Sequence, residues 1–260
     1  MYRGFNVRLG SLSEEYFLKG NPQFETNKRQ VKTGLQKFIT LTGNLDGSMM
    51  EKEWFPNVKA DIFISHSHDD EKEAIKLAGW IKGSFNLDCF IDSCVWENGN
   101  DLIKMIDNEY CRSEGETTYN YKRRNLSTSH VHMMLSTALA KMIDRAECLF
   151  FLNTPNSVRT PEIISKTVSP WIYSEIAISQ LVRKPLKFHR DREIVKSFSE
   201  SRKFTIPIVY ELGLKGFSEL DAEDLRNWHR KWKNGSIPRG NSLDYLYDLH
   251  KEGGSNVLNS

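Results

Sequence analysis

Imidazole and carboxylate side chains follow one another closely in residues 60–80, which read ADIFISHSHDDEKEAIKLAGW. Histidine and acidic residues at this density suit two kinds of chemistry. They can bind zinc, for which imidazole and carboxylate groups are ordinary ligands. They can also line a nucleotide pocket that needs no metal. Far along the chain, Glu175 in SPWIYSEIAIS adds a candidate catalytic carboxylate.

The zinc interpretation depends on the run HSHDDE, residues 66–71. This run matches the first three ligand positions of HxHxDH, the zinc motif of the metallo-β-lactamase fold, but Glu71 stands where a histidine belongs. The later ligands would be His130 and His132, in a segment whose amphipathic pattern predicts a helix. Two residues apart on a helix, these histidines point to different sides. We therefore predict no metal ligands, and a zinc hydrolase is the least favoured hypothesis.

The composition narrows the class of protein. With 260 residues, of which 39% are hydrophobic and 27% charged, the chain fits an α/β domain with extensions. No run reaches the roughly 20 apolar residues of a membrane-spanning helix, and MYRGFNVRLGSLSEEYF lacks the pattern of a secretory signal. The 36 basic and 34 acidic residues are interspersed. We therefore expect a cytoplasmic protein with no nucleic-acid partner and no membrane partner.

Apolar runs alternate with amphipathic segments along the chain. The predicted strands are ADIFIS, LDCFIDS, ECLFFLN and FTIPIVYEL. Helical spacing of apolar residues predicts helices over 69–85, 101–111, 129–146 and 171–184, and two more in AEDLRNWHRKWK and SLDYLYDLHK. Strands that alternate with helices predict an α/β fold with a parallel sheet covered on both faces.

Three regions lie outside this alternation. Residues 1–58 are expected to form a helical N-terminal extension, because NKRQVKTGLQKFITL places its apolar residues near one face of a helix. Residues 112–128 show no clear period and predict an insertion or surface loop. Residues 212–260 are expected to form a C-terminal helical extension. The main domain is therefore predicted to span residues 59–211.

Polar residues follow the predicted strands where those strands end. They are Ser65 to Asp70 after the first strand, Asp92 and the polar loop up to Asn100 after the second, and the loop that leads to Glu175. In parallel α/β sheets, ligands bind outside the carboxyl ends of the strands, where the topology switches. We therefore expect these three regions to line one cleft.

Several segments, in order, resemble the Toll/interleukin-1 receptor (TIR) domain, particularly its bacterial members. The matching pieces are ADIFISHSHDDE, LAGWIKGSFNLDCFIDS and SPWIYSEIAIS, in which Trp171 to Glu175 form the WxxxE signature. The resemblance extends over about residues 59–211. It implies the TIR fold, a flavodoxin-like parallel sheet flanked by helices on both faces, with the helical extensions added to it.

TIR domains include scaffolds that only self-associate and enzymes that cleave NAD+ at the nicotinamide–ribose bond. Members with a glutamate at the WxxxE position tend to be enzymes, so the resemblance implies that Glu175 is the catalytic residue. It also implies a substrate-binding role for the residues of the first two strand-end loops and for the tryptophan of the signature. These residues are Ser65, His66, His68, Asp92, Trp96 and Trp171.

The resemblance also implies a biological setting. It predicts an NAD+ glycohydrolase or ADP-ribosyl cyclase of antiphage defence of the Thoeris kind, with NAD+ as substrate and no cofactor. The product would be a linear, cyclic or conjugated ADP-ribose that signals to a separate effector protein. Self-association through TIR surfaces is expected as well. The alternative hypothesis is a TIR interaction module without turnover, in which Glu175 has a structural role.

Overall fold

Strands and helices alternate through most of the computed structural model. It describes residues 3–29, 34–55, 58–112, 118–158, 166–167, 169–182, 210–235 and 241–250. The strands are β1 (Arg3–Val7), β2 (Ile62–Ser65), β3 (Cys89–Ile91), β4 (Cys148–Leu152), β5 (Lys166–Thr167), β6 (Tyr210–Glu211) and β7 (Phe217–Leu220). The helices are α1 (Glu14–Arg29), α2 (Gly47–Trp54), α3 (Glu71–Phe85), α4 (Ser93–Tyr110), α5 (Tyr121–Arg145), α6 (Pro170–Leu181), α7 (Ala222–Asn234) and α8 (Ser242–Leu249).

Five of these strands form a parallel sheet in the order β3-β2-β4-β1-β7. Every residue of β2, β3 and β4 is buried, which explains why these strands read as continuous apolar runs rather than as alternating ones. Strands β5 and β6 pair separately, in antiparallel orientation. The fold class predicted from the sequence, a flavodoxin-like parallel sheet flanked by helices, is confirmed.

Helices cover both faces of the sheet. The crossover from β2 to β3 and the crossover from β3 to β4 run in opposite directions across the sheet. Because such crossovers are right-handed, α3 lies on one face, and α4 and α5 lie on the other. On the first face the rings of Phe85 in α3 and Trp228 in α7 stack with centroids 3.8 Å apart. The core lies between these layers.

The topological switch point lies between β2 and β4. The chain passes from β2 to β3 at one edge, whereas after β4 it continues to β7 at the opposite edge. The loops that follow β2 and β4 therefore diverge there. Asp70 bridges them, because its carboxylate accepts hydrogen bonds from Thr154 Oγ1 at 2.5 Å and from Asn156 Nδ2 at 2.7 Å.

The N-terminal region differs from the sequence prediction. It contributes α1 and α2, but it also contributes β1, which lies in the sheet between β4 and β7. Residues 1–58 are therefore not a purely helical extension. The helix predicted within residues 27–41 is also wrong, because Leu35–Phe38 form a short 3-10 helix that follows Gly34 in extended conformation. Residues 30–33 lie outside the described residues.

Two predicted loops are helical. The polar residues up to Asn100 belong to α4, which begins immediately after Asp92. Their buried side has a helical period, since Cys94, Val95, Asn98 and Leu102 all face inward. The predicted insertion at 112–128 also overlaps a helix, since α5 begins at Tyr121.

Asn120 explains where α5 begins: its side chain accepts a hydrogen bond from Arg123 N at 3.1 Å and so caps the helix. At the other end of the chain, the C-terminal region contains the predicted helices as α7 and α8. It also supplies β7 to the sheet. Of the predicted strand FTIPIVYEL, residues 204–209 lie outside the described residues. No described helix is both long and apolar enough to cross a bilayer.

Candidate active site

Four polar side chains meet at the carboxyl ends of β2 and β3. Ser65 is the last residue of β2 and His66 follows it, Asp92 directly follows β3, and Glu175 comes from α6. All four residues are 0% exposed. The edge at which the sequence predicted a site therefore does bring Ser65, His66, Asp92 and Glu175 together, in one enclosed group that we call the acid–imidazole cluster.

Helix α6 positions Glu175 through its cap and its buried face. Ser169 caps the helix, accepting a hydrogen bond from Ile172 N at 3.3 Å, and Pro170 occupies the first turn, where the ring costs no hydrogen bond. The buried face consists of Ile172, Glu175, Ile176 and Ser179 at helical spacing. Glu175 therefore stands on the side of α6 that faces the protein interior.

Short contacts join the members of the cluster in pairs. Ser65 Oγ donates a hydrogen bond to Glu175 Oε2 at 2.6 Å. His66 Nδ1 lies 2.5 Å from Asp92 Oδ1, although the two groups are not aligned as a hydrogen bond. The backbone N–H of His66 donates to Asp92 Oδ2 at 3.4 Å. Asp92 thus binds the backbone of the loop after β2 and lies against the side chain of His66.

Burial determines the protonation of the cluster. It raises the pKa of Asp92 to about 8 and raises the pKa of Glu175 well above its ordinary value, to which the neighbouring Asp92 carboxyl adds. It lowers the pKa of His66 to about 4. In each case the enclosed surroundings disfavour the charged form. At neutral pH the acids therefore keep their protons and the imidazole is neutral.

Trp96 closes one side of the cluster from α4. Its ring stacks on that of His66, with centroids 5.4 Å apart and planes 14° apart. His68 lies further out: its side chain is exposed and its ring is tilted against Trp96 at 6.3 Å. The structure therefore groups Trp96 with the cluster, while His68 lies at the rim.

The cluster contains buried polar atoms without a hydrogen-bond partner. Buried polar groups in proteins are nearly always paired, so each exception calls for an explanation, and functional sites are one place where they occur. Among the described residues, such atoms at this site are His66 Nδ1 and Nε2, Asp92 Oδ1, Ser93 Oγ, Trp96 Nε1 and Glu175 Oε1. Unpaired polar atoms are therefore concentrated in the cluster and in the two residues beside it.

Ser93 is a member of this set that sequence reasoning missed. It is the first residue of α4, 2% exposed, and its hydroxyl has no partner. Its position directly after Asp92 was the only signal in the sequence that pointed to it.

Trp171 takes a different position from the one expected. The TIR resemblance implied that it binds substrate. Instead its ring makes an edge-to-face contact with His132 of α5, with centroids 5.4 Å apart. The indole packs toward α5, and the structure does not assign Trp171 a place in the cluster.

The residues of the zinc interpretation do not converge. His66 is buried against Asp92, whereas His68 is exposed and Asp70 binds the loop after β4. In the part of the chain that the structure describes, no group of three or more His, Cys, Asp or Glu side chains is arranged to hold a metal ion. His130 and His132 lie on α5, as the amphipathic pattern predicted.

The cluster is closed to solvent in this conformation. A surface pocket lies elsewhere, between α1, α3 and the outer edge of β3, where Lys19, Gln23 and Leu87 are among its lining residues. No member of the acid–imidazole cluster lines that pocket.

Protein-family models, curated proteins and solved structures were all compared with the chain, and none of the three comparisons gave a match. The resemblance to TIR domains therefore rests on the sequence segments described above.

Proposed function

We propose that the protein cleaves the nicotinamide–ribose bond of NAD+, with Glu175 as the catalytic carboxylate. The observation that supports this most directly is the burial of Glu175 against Ser65 at the carboxyl edge of the sheet. A helical glutamate with only a structural role is expected at the surface, where water solvates its charge. This glutamate is instead enclosed among polar atoms that lack partners.

The chemistry of the bond suits a single carboxylate. Glycosidases ordinarily need one acid to protonate the leaving group and a second carboxylate to act on the sugar. The nicotinamide ring of NAD+ is already cationic and leaves as a neutral molecule, so the leaving group needs no proton. One carboxylate beside the ribose stabilises the positive charge that develops at the anomeric carbon. Enclosure strengthens this interaction because water does not screen it.

The remaining roles follow from where the side chains lie. Ser65 orients Glu175, while the aromatic ring of Trp96 offers a stacking surface next to His66. His68 is exposed at the rim and would meet the substrate as it enters. Opening of the enclosed site, followed by closure around NAD+, would keep water away from the reacting bond until the substrate is in place.

The wider role is proposed from the TIR resemblance. An ADP-ribose product, whether linear, cyclic or conjugated, would act as a nucleotide signal in antiphage defence and activate a separate effector protein. Assembly of several copies through TIR surfaces would favour the closed, active site.

Nicotinamide release from NAD+ tests the catalytic proposal. Concentrated full-length protein is incubated with NAD+, beside Glu175→Ala and Glu175→Gln. We expect both substitutions to lower the rate by at least about 100-fold, the scale on which a stabilising group in an enclosed site contributes. Glu53→Gln is the matched control, because Glu53 lies on α2 and forms a surface ion pair with Lys37. Variants of Glu175 that are as active as the parent would refute the assignment.

A second function, a TIR interaction module without turnover, is favoured by the complete enclosure of the cluster. The two functions differ in what self-association does. For an enzyme that assembles, the rate of nicotinamide release per protein chain rises with protein concentration. For an interaction module, the protein self-associates and releases no nicotinamide at any concentration.

A further inference from the structure

We propose that Glu219 binds the adenosine ribose of NAD+ and so makes the protein select NAD+ over NADP+. This inference rests on the proposed function and extends it to the half of the dinucleotide that does not react. The register of the sheet carries it, because that register places Glu219 in one row with Ser65 of the acid–imidazole cluster.

A row of side chains crosses the sheet near the carboxyl ends of its strands. Ser65 of β2 is in register with Phe151 of β4, and Phe151 is in register with Asn6 of β1. Asn6 in turn is in register with Glu219 of β7. Side chains in register on parallel strands point to the same face, and Ser65 points toward Glu175 on α6. Glu219 therefore points to the face of the sheet on which Glu175 lies.

Hydrogen bonds join the polar side chains on this face. Asn153 follows Phe151 by two residues, and its Nδ2 donates to Asn6 Oδ1 at 2.9 Å. Asn6 Nδ2 donates to Glu219 Oε1 at 2.8 Å. A polar path therefore runs along the edge of the sheet from the loop after β4 to β7, and Asn6 fixes the position of the Glu219 carboxylate.

Asn6 is an unusual residue for its place in the fold. It is 2% exposed in a strand with neighbours on both sides, and asparagine is a poor strand former. Local preferences are broken in this way mostly at functional sites. The row two residues earlier on the same face is apolar and consists of Phe63, Leu149, Gly4 and Phe217. Polar side chains are thus concentrated at the carboxyl edge, where such sheets bind ligands.

Glu219 stands at the open end of the row. Its side chain is 63% exposed, whereas Ser65 is 0% exposed. In the sheet order, β2 and β7 are separated by two intervening strands, which corresponds to about 14 Å at the usual spacing between strands. The pyrophosphate bridge of an extended dinucleotide separates its two riboses by a distance of this order. With the nicotinamide ribose at Glu175, the adenosine ribose therefore reaches Glu219.

A carboxylate at that point recognises a ribose by its free hydroxyl groups. Its two oxygens accept hydrogen bonds from the 2′-OH and the 3′-OH, and an acidic residue has this role in other dinucleotide sites on parallel sheets. A phosphate at the 2′ position, as in NADP+, removes one donor and brings negative charge against the carboxylate. Glu219 therefore favours NAD+.

Arg8 provides a contrast beside Glu219. Its Nη2 lies 3.7 Å from Glu219 Oε2, and both side chains are more than half exposed, so the ion pair holds the carboxylate only weakly. Once Glu219 is replaced by a neutral residue, the same arginine is free to attract a 2′-phosphate. Loss of Glu219 should therefore improve binding of the phosphorylated ribose as well as weaken binding of the free one.

Binding of ADP-ribose and of its 2′-phosphate tests the site without any cleavage. Isothermal titration calorimetry with the full-length protein should show that ADP-ribose binds at least about 10-fold more tightly than the 2′-phosphate, the effect of one hydrogen bond to a charged group. Glu219→Gln should abolish that preference, and Arg8→Gln added to it should weaken binding of the 2′-phosphate again. A parent protein that binds neither nucleotide, or binds both equally, would overturn the proposal. So would a preference that persists in Glu219→Gln.

Glu109→Gln is the matched control for these titrations. Glu109 is exposed near the C-terminal end of α4, away from the carboxyl edge of the sheet. Its substitution should leave both dissociation constants unchanged. Equal effects of Glu109→Gln and Glu219→Gln would show that only the overall charge of the protein matters, and would contradict a site at Glu219.

Nicotinamide release separates this inference from the proposed function. Glu219→Gln should raise KM for NAD+ about tenfold with little change in kcat, because Glu219 contacts a part of the substrate that does not react. A fall in kcat at unchanged KM would contradict this binding role. A parent protein that releases no nicotinamide, but prefers ADP-ribose through Glu219, would count against the proposed function and leave the nucleotide site established.

Discussion

Burial acts in opposite directions on the acids and on the imidazole of the cluster. It raises the pKa of Asp92 and of Glu175, and it lowers the pKa of His66, because the charged form of each group is disfavoured away from water. The cluster is therefore close to electrically neutral near pH 7. Under the proposed function, a cationic ring that enters it would favour one carboxylate over two neutral acids. Substrate binding and ionisation of Glu175 would be coupled in this way.

The same shifts predict how stability depends on pH. The unfolded chain loses the Asp92 proton near the ordinary pKa of 3.8, whereas burial raises the pKa in the folded protein to about 8. The free energy of unfolding therefore falls as pH rises between these values. His66 acts oppositely, but only below the ordinary histidine pKa of 6.5. We expect the melting temperature to fall between about pH 6.5 and pH 8, and Asp92→Asn to make that decline shallower.

Thermal unfolding followed by circular dichroism at several pH values measures this slope. Asp221→Asn is the control, because Asp221 caps α7 at the surface and its hydrogen bonds lower its pKa from 3.8. Its contribution is lost only toward acidic pH, so the slope above neutrality should match that of the parent. A steeper decline in Asp92→Asn than in the parent would contradict the assignment of a buried, protonated Asp92.

Ser65 offers a test of how Glu175 is held. Its hydroxyl donates to Glu175 Oε2 at 2.6 Å and so favours the carboxylate form. We expect Ser65→Ala to raise the pKa of Glu175 further, to lower nicotinamide release about tenfold near pH 7, and to move the optimum to higher pH. Ser179→Ala is the matched control. Ser179 lies on α6 and is buried, as Ser65 is, but its hydroxyl donates a hydrogen bond to Ile176 O. Equal rates and optima in both variants would count against this role of Ser65.

At the scale of the elements, two helices approach one another through glycine. Gly20 of α1 and Gly79 of α3 face each other, and a Cβ atom on Gly79 would lie 2.7 Å from Gly20 N and would also collide with Tyr16 O. We expect Gly79→Ala to lower the free energy of unfolding by about 1–3 kcal/mol, the usual cost of overpacking. Gly83→Ala on the same helix is the control, because its Cβ meets only the flexible Lys19 side chain at 3.6 Å.

Denaturant unfolding of the two glycine variants separates packing from helix propensity. Alanine is the better helix former by about 1 kcal/mol, so Gly83→Ala should be neutral or stabilising. If Gly79→Ala were as stable as Gly83→Ala, the two helices would not be in the close contact described.

The elements that the sequence predicted well are those with strong local patterns. Strands β2, β3 and β4 are continuous apolar runs, and α3 shows a clear helical period. Strand β1 was missed because RGFNV is short and contains Gly4 and Asn6, which are poor strand formers. Its position is fixed by parallel pairing with β4 and β7, a contact between segments far apart in the chain.

The start of α4 was missed for a related reason. Its first two turns contain Asn98 and Gly99, which disfavour a helix when packing is ignored. Asn98 is satisfied within the helix, since its Nδ2 donates to Cys94 O at 3.3 Å, and Gly99 is favoured by a tertiary contact. A side chain at Gly99 would lie 3.4 Å from Leu135 of α5, so glycine allows the two helices to pack closely. The residues of the site were predicted from the strand ends, but their enclosure depends on these long-range contacts and was not predictable.

At the scale of the molecule, the site depends on segments from much of the chain. Ser65 ends β2, and His66 and Asp92 directly follow β2 and β3. Helix α6 supplies Glu175 more than 80 residues later. The N-terminal region also supports this edge, because Lys28 of α1 pairs with Glu97 of α4 at 3.0 Å, next to Trp96. Residues that the sequence assigned to an extension therefore help to position the helix that closes the cluster.

The position of β1 leads to a prediction for the whole chain. A fragment of residues 59–211, the domain boundaries predicted from the sequence, would lack both β1 and β7. Strand β4 would then become an exposed edge, although its five residues are all buried in the full chain. Such an apolar edge strand with unpaired backbone groups aggregates rather than staying folded.

We therefore expect the 59–211 fragment to be insoluble or to unfold without a cooperative transition, whereas residues 1–250 should unfold cooperatively. Size-exclusion chromatography and thermal unfolding of the two chains provide the comparison. A soluble, monomeric 59–211 fragment with a sharp transition would show that the domain ends where its sequence pattern ends. Failure of that fragment beside a stable longer chain would show that the sheet needs the strands outside residues 59–211, β1 and β7. The unit that folds, and on which the site depends, would then include the N-terminal strand.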